Sequence, residues 1–433
     1  MSIDFRRLAV AAAGFSTFLH LYAPQALLPE LAREFGVGAA QISALITAST
    51  LAIALTAPFT GAVADVLGRK RLITTAMFGV TVPVLMATVA TAPGTLIFWR
   101  FIEGLLLPPI FTVVLAYVGD EWPPGEVAGV AGLYVSASSV GGFCGRLVPG
   151  IIGDVAGWRY AFLAIAAIGL AAAILVAAKL PTEKRFVRSE GFVASGRQML
   201  RHLRNLQLMA TCAVGFGVLF NFIAIFTYVS FRLAAPPYNF TASLLGAVFF
   251  TYLVGAVATP WTGRAVMRYG RRTLMIGVIS GWLVGLALLL APPLALILIG
   301  LSVCAGCGML CQATSTGYVT ASAHEGRSSA IGLYVSSFYI GGSVGGLAAG
   351  ILWSAAGWWA VVAMSATMVV MMGLVVAFVW SVKPVPANGR FDKASIRPLQ
   401  AGDAPHHAER ANDMPHAAPG LSPRSNRRWW SYF

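Results

Sequence analysis

Charged side chains are scarce in this chain of 433 residues. They make up only 11% of it, whereas hydrophobic residues make up 58%. An ordinary soluble domain carries about 25% charged residues. Because so few charges could not cover a water-soluble protein of this length, the composition indicates that the chain is embedded in a membrane.

Acidic residues are the rarer of the two charged kinds, with 16 Asp and Glu against 30 Lys and Arg and a net charge of +14. Such an excess could indicate a nucleic-acid partner. If both termini are cytoplasmic, however, 25 of the 30 basic residues lie on the cytoplasmic side, and only Arg33, Arg159 and Arg232 lie on the other. This asymmetry is an orientation signal that also favours anionic lipid, so no nucleic-acid partner is predicted.

Cysteine is also rare, with five residues that all lie in apolar runs. An odd number in such surroundings predicts buried free thiols and no disulfide framework. Cys304, Cys307 and Cys311 share a helical face, but a metal site would need a fourth ligand, so neither a metal nor another cofactor is predicted. Hydrolase and nucleotide-binding motifs are missing from the sequence, and the chain is not predicted to be an enzyme.

What the chain does contain is a duplication. The 27 residues from 132 to 158 recur from 332 to 358 with 14 identical positions. The segment 61–72 likewise has a related copy at 263–274. Repeats at this distance predict two related structural units.

Apolar segments of about 20 residues, the length that crosses a bilayer, occur twelve times. Their approximate limits are 8–28, 42–61, 73–91, 95–118, 128–152, 158–180, 207–231, 243–262, 273–291, 293–319, 328–353 and 358–381. We therefore predict an all-α membrane protein with twelve transmembrane helices in two pseudo-symmetric six-helix bundles. Because six is even, both bundles enter the membrane from the same side.

Composition also divides the chain. It predicts an N-terminal bundle (1–181), a cytoplasmic linker (182–206), a C-terminal bundle (207–383) and a disordered, basic cytoplasmic tail (384–433). The tail is rich in Pro, Ala, His and Arg and has no apolar periodicity.

The segment after the second span, GAVADVLGRKRL, fits the pattern G-x-x-x-D-x-x-G-R-[KR]-x at Gly61, Asp65, Gly68, Arg69 and Lys70. With the six-plus-six duplication, it makes residues 8–381 resemble the major facilitator superfamily, and segments of spans one, four and five resemble its YnfM-type branch of twelve-span drug:proton antiporters. The resemblance implies that this gating loop latches the two halves, with Asp65 set against a helix start of the other half. A positively charged turn without a gating role is the alternative.

Two charged residues, Arg100 and Glu103, lie three positions apart inside span four. Charges at membrane depth are costly unless they are paired or face water, so they indicate a functional site. The resemblance to the family's R-x-x-x-G motif implies proton coupling, with Glu103 as the proton carrier and Arg100 as its partner. A purely structural ion pair is the alternative.

A lone histidine, His20, lies midway through span one. It either packs against a neighbour or lines a cavity and titrates near neutral pH. Its repeat counterpart is Asn221 in span seven. Two polar residues at equivalent depth favour a shared cavity at the middle of the membrane. His20 is therefore predicted both to line this cavity and to take part in proton coupling.

Span five contains Arg146, whose repeat counterpart is Gly346. An unpaired arginine in a span is costly, so it should extend to the membrane surface, pair with Asp154 or bind an anionic group. The predicted cavity residues are polar or aromatic and suit an amphiphilic substrate. They are His20, Tyr22, Gln25, Asn221, Tyr228, Gln312, Tyr334, Tyr339 and Arg146.

Together these features predict a secondary active transporter that works as a monomer by alternating access in a bacterial inner membrane. Proton-coupled efflux of small amphiphilic molecules or drugs is the leading hypothesis. Proton-coupled uptake of a small solute, such as a sugar or organic acid, is the first alternative. The second is a non-transporting membrane sensor with the same fold, because a fold alone does not establish function.

Overall fold

A computed structural model describes residues 4–183, 201–322 and 327–380. The described residues belong to one compact unit. Most of the predicted linker 182–206 and all of the predicted tail 384–433 lie outside the described residues, so both remain predictions.

The described residues form twelve long helices, as the sequence predicts. In the first half these are α1 (Phe5–Tyr22), α2 (Ala39–Leu67), α3 (Arg69–Thr88), α4 (Pro93–Glu121), α5 (Pro124–Ala156) and α6 (Trp158–Lys179). In the second half they are α7 (Leu206–Ala234), α8 (Ala242–Tyr269), α9 (Arg271–Leu288), α10 (Leu294–Ser322), α11 (Arg327–Ala356) and α12 (Trp358–Phe378). A short helix, Leu28–Glu34, lies between α1 and α2.

Eleven of the helices in the described part of the chain are long and apolar enough to cross a membrane. Helix α1 is not among them, since it begins with Arg6 and Arg7, which lower its mean hydropathy. It also ends at Tyr22, earlier than the predicted limit of residue 28. The all-α membrane fold is confirmed, although α1 is too polar to be counted among these candidate spans.

The duplication is visible in the turns. Gly68 (φ 86°) connects α2 to α3, and Gly270 (φ 77°) connects α8 to α9 in the second half. Gly157 and Gly357 repeat this between α5 and α6 and between α11 and α12, with φ of 89° and 76°. A left-handed φ is readily adopted only by glycine, so both halves use the same residue to reverse direction.

Ion pairs identify the two faces of the bundle. Near the first face, where α1 begins and α12 ends, Arg7 of α1 pairs with Glu126 of α5 at 2.6 Å. Near the other face, Arg159 of α6 pairs with Glu34 at 3.2 Å. We call these the terminal face and the opposite face.

Helices α1–α6 pack on one another, as do α7–α12, and the two halves meet along α2 with α11 and α5 with α8. In the repeat, α8 is the copy of α2 and α11 is the copy of α5. The contact of α5 with α8 is therefore the repeat copy of the contact of α11 with α2. The interface between the halves is therefore itself pseudo-symmetric.

The repeated glycines serve two different contacts. A Cβ at Gly141 would clash with the backbone of α1, and one at Gly341 would clash with the backbone of α7, so these glycines pack within their own halves. Gly150, in contrast, lies against Ala242 of α8, and Gly350 lies against Ala40 of α2. The later glycines Gly150 and Gly350 thus lie between the two halves.

Candidate functional site

A buried ion pair lies inside the first half. Arg100 and Glu103 are each only 1% exposed, and Arg100 Nη1 donates to Glu103 Oε2 at 2.5 Å. Helix α4 places both on one face because they are three residues apart. The second carboxylate oxygen, Oε1, is buried and has no hydrogen-bond partner among the described residues.

The same arginine holds the end of α1. Its Nη1 donates to the carbonyl oxygen of His20 at 3.0 Å, and its Nη2 donates to that of Leu21 at 2.7 Å. These carbonyls belong to the last turn of α1, where a positive charge is favourable. Arg100 therefore joins α4 to α1 through two charge-assisted hydrogen bonds, while its ion pair with Glu103 lies within α4.

His20 and Asn221 keep equivalent positions, but the structure does not place them between the halves. The His20 ring packs on Gly169 of α6, and its Nδ1 lies 2.8 Å from the carbonyl oxygen of Ser16. Asn221 Nδ2 donates to the carbonyl oxygen of Gly217 and lies 3.9 Å from the sulfur of Met372 in α12. Both side chains therefore face another helix of their own half in this structure, and their place in a substrate cavity stays a prediction.

Arg146 lies in a cluster of aromatic rings and neutral acceptors. It is 3% exposed, and its guanidinium carbon lies 3.8 Å from the ring centroid of Tyr22, 4.3 Å from that of Phe249 and 4.9 Å from that of Tyr252. Its Nε donates to Gln25 Oε1 at 2.7 Å, and its Nη1 donates to the carbonyl oxygen of Gly142. The arginine therefore neither extends to the membrane surface nor pairs with Asp154.

We call Arg146, Tyr22, Gln25, Phe249 and Tyr252 the Arg146 cage. Its first three members belong to the first half, and the two others belong to α8 of the second half. A cation–π contact contributes about 0.5–2 kcal/mol, whereas burying an unpaired ion costs several kcal/mol. The rings alone therefore do not fully compensate the charge of the arginine.

Further polar and aromatic contacts connect the halves near the Arg146 cage. Gln25 Nε2 donates to Thr227 Oγ1 of α7 at 3.4 Å, and Tyr228 shares a hydrogen bond of 2.6 Å with Ser43 of α2. The ring of Tyr339 lies 6.0 Å from that of Phe111 in α4. Thus Gln25, Tyr228, Tyr339 and Arg146 all contact the other half, and Tyr22 lies under Arg146.

Two predicted cavity residues lie elsewhere. Tyr334 is buried and packs on Gly215 of α7, just as Tyr134 packs on Gly14 of α1. Gln312 is half-buried in α10. Tyr334 is therefore a packing residue within the second half in this structure.

The halves are joined at the opposite face by a carboxylate. Asp154, in the last turn of α5, accepts hydrogen bonds from the backbone N–H groups of Ala242 at 2.9 Å and Ser243 at 2.8 Å. These are the first residues of α8, where a negative charge is favourable. Asp154 therefore closes the opposite face by capping a helix of the other half.

Beside this contact lies a cavity of about 390 Å³ between the halves, lined in part by Glu30, Arg33 and Asp154. Burial raises the pKa of Glu30 above its usual value. Glu30 therefore takes up a proton at a higher pH than an exposed glutamate does.

Towards the terminal face, α5 has free space around it. A Cβ at Gly125, Gly129 or Gly132 would meet nothing within 4 Å. The rings of Phe143 and Phe250, in contrast, pack across the halves with centroids 4.4 Å apart and planes tilted by 49°. Helices α5 and α8 therefore contact each other from the middle of the bundle to the opposite face.

The gating loop makes its described contacts within the first half. Arg69 pairs with Asp120 at the end of α4, and the backbone N–H groups of Arg69 and Lys70 donate to Glu183 at 2.8 and 3.2 Å. Asp65 is half-buried and has no ion pair or hydrogen bond among the described residues. The start of α11 adjoins residues 323–326, which lie outside the described residues, so the predicted Asp65 latch remains a prediction.

The Major Facilitator Superfamily model matches residues 10–259 and again 220–405, which together cover most of the chain. The chain belongs to the major facilitator superfamily.

Individual members of the superfamily support this assignment. The chain is 32% identical to the inner membrane transport protein YnfM of Escherichia coli, over 85% of this chain and 88% of the relative. It is 29% identical to an uncharacterized MFS-type transporter, YybF, of Bacillus subtilis, over 83% of this chain and 90% of that one. The nucleoside transporter NupG (D323A mutant) has the same fold, with a TM-score of 0.71 at 14% identity, covering 87% of this chain and 100% of that one.

Membership of the superfamily makes the chain a multi-pass membrane transporter and not an enzyme. The contacts at Asp154 and the Arg146 cage join the two halves of this transporter in the structure. Sequence reasoning did not identify Phe249, Tyr252 or the role of Asp154. The available signal was the Ser354 that replaces Asp154 in the second copy, since the repeat relates α5 to α11 and says nothing of its contact with α8.

Proposed function

We propose that this superfamily member exchanges protons for small amphiphilic molecules and exports them by alternating access. We further propose that it works as a monomer in a bacterial inner membrane with the terminal face in the cytoplasm. The observation that carries the proposal is the buried Arg100–Glu103 pair, whose arginine also holds the end of α1.

The pair supports coupling because the end of α1 connects it to the Arg146 cage. Arg100 binds the carbonyl groups of His20 and Leu21, and the next residue, Tyr22, lies under Arg146. Adding a proton to Glu103 would remove the counter-charge of Arg100 and weaken the ion pair. The loosened arginine would then shift the end of α1, and with it the Arg146 cage between the halves.

The closed opposite face supports alternating access. The halves are held together there by Asp154 and, closer to the middle of the bundle, by the contact between the rings of Phe143 and Phe250. With the terminal face in the cytoplasm, this is the arrangement that receives a molecule from the cytoplasm. Export then requires the contacts of α5 with α8 to open.

The test is proton-coupled flux in everted membrane vesicles with a preformed pH gradient, with ethidium as a cationic probe and cinnamate as an anionic probe. Wild-type vesicles should show a partial collapse of the gradient when a probe is added. Glu103→Gln should retain exchange of probe across the membrane but lose accumulation against a gradient, because glutamine cannot carry the proton. Glu126→Gln, which alters an exposed carboxylate paired with Arg7, is the matched control and should behave like the wild type.

If Glu103→Gln still accumulates the probe against a gradient, Glu103 is not the proton carrier. Alkalinisation outside right-side-out vesicles on addition of a sugar or organic acid would favour proton-coupled uptake, which is the second candidate because Arg146 could contact an acid. The absence of any flux in proteoliposomes across a panel of dyes, drugs and metabolites would favour the sensor hypothesis.

A further inference from the structure

Arg146 is not required by the architecture of its helix. Its repeat counterpart is Gly346, and the side chains of Thr47 and Ile223 fill the space where a Cβ would lie. The two copies otherwise share the glycines that pack α5 on α1 and α11 on α7. Since the second half is built without a cation at this position, the arginine needs an explanation other than folding.

The described partners of the Arg146 guanidinium are all neutral. They are the side-chain oxygen of Gln25, the carbonyl oxygen of Gly142 and aromatic rings, of which Tyr22 also offers its phenol. No carboxylate lies within 4.0 Å of it in the part of the chain that the structure describes. The other deeply buried arginine, Arg100, has Glu103. Arg146 therefore retains a positive charge that an anion could neutralise.

The position of the Arg146 cage suits a transported molecule. It is built from both halves, and Gln25 continues the connection to Thr227 of α7. It lies where α5 first meets α8, between the free space near the terminal face and the Asp154 contact at the opposite face. A ligand held there would contact both halves and would be enclosed on the opposite side.

We propose that the Arg146 cage binds the carboxylate group of a planar, apolar monocarboxylate, which the proposed transport function would carry between the halves. A guanidinium binds a carboxylate through two parallel N–H···O bonds. The rings of Tyr22, Phe249 and Tyr252 cover the guanidinium in this structure. When a carboxylate takes up the guanidinium, these rings would pack on the flat apolar body of the ligand instead. A single cation matches a single negative charge, so the substrate class is an aromatic or similarly flat monoanion.

This proposal rests on the proposed function in one respect, namely that a substrate passes between the halves. Its test measures binding and needs no proton gradient. Thermal unfolding of the purified full chain in detergent would be followed with cinnamate and with cinnamamide, its neutral amide. Cinnamate should raise the Tm of the wild type, and cinnamamide should not. This comparison within the wild type does not depend on any variant being folded.

Variants then assign the effect to the arginine. Arg146→Gln should weaken the apparent binding of cinnamate by about 10-fold to 100-fold, the effect of losing a charged hydrogen-bond pair. Arg146→Lys should bind with intermediate affinity, since it keeps the charge but loses the two parallel donors. Arg159→Gln, an exposed arginine at the opposite face, is the matched control and should retain wild-type binding.

Equal stabilisation by cinnamate and cinnamamide would overturn the proposal, as would no stabilisation by cinnamate at millimolar concentrations. Unchanged cinnamate binding in Arg146→Gln would also overturn it. These outcomes are distinct from failure of proton coupling, because a Glu103→Gln protein without coupled flux should still bind cinnamate in detergent.

Discussion

Arg100 and Arg146 are both buried within the membrane-spanning helices, but their surroundings differ. Arg100 lies inside one half with a carboxylate and two carbonyl groups of α1 as partners. Arg146 lies between the halves with neutral acceptors and aromatic rings, two of which belong to the other half. The first arginine is neutralised by its own half, and the second is shielded by contacts between the halves, which we propose part during transport.

The difference shows how a duplicated fold gains a specific function. Both halves share their glycine turns and helix packing, so the shared scaffold does not require the charges of Arg146 and Asp154. The charges that differ between the copies, at Arg146 and Asp154, lie on α5 where it meets α8. The first half therefore supplies the charged groups, and the second half supplies the aromatic rings and the helix start that meet them.

Replacing each arginine by leucine is the strongest way to test this comparison. Arg100→Leu leaves Glu103 buried without a partner, so it should lower the free energy of unfolding by about 3–5 kcal/mol. Arg146→Leu should change it by less than about 1 kcal/mol or raise it, because exchanging a buried ion for an apolar side chain is often neutral or stabilising. Unfolding of both variants in detergent is the measurement, and equal losses would show that the two arginines do not differ in this way.

A smaller effect should follow from removing the Asp154 contact. Asp154→Ala deletes a cap on two N–H groups of α8, which is worth about 1 kcal/mol. That loss should favour opening of the opposite face. A membrane-impermeant maleimide should therefore label Ala242→Cys faster in an Asp154→Ala background, after the five native cysteines are replaced.

Ser354→Ala is the matched control for that experiment, since Ser354 is the exposed repeat counterpart of Asp154. It should leave the labelling rate of Ala242→Cys unchanged. Equal acceleration by both substitutions would mean that Asp154 has no particular role in closure.

Much of the scaffold could be predicted from the sequence because it depends on local patterns. Apolar length indicates the spans, the repeat indicates two halves, and a spacing of three residues places Arg100 beside Glu103. The side to which His20 points could not be predicted, because it depends on how α1 is rotated against α6. The rings around Arg146 could not be predicted either, since Phe249 and Tyr252 are about a hundred residues away and meet it only through the packing of α5 on α8.

The central claim is that the halves close around the Arg146 cage in one state and part there in another, under control of Glu103. It is tested most directly by double electron–electron resonance between spin labels at Val155 and Leu244, exposed residues near the opposite-face ends of α5 and α8. The account predicts a short and a long distance whose proportions change with pH in the wild type and stay fixed in Glu103→Gln. A single distance that is independent of pH, or a pH response that persists in Glu103→Gln, would contradict it.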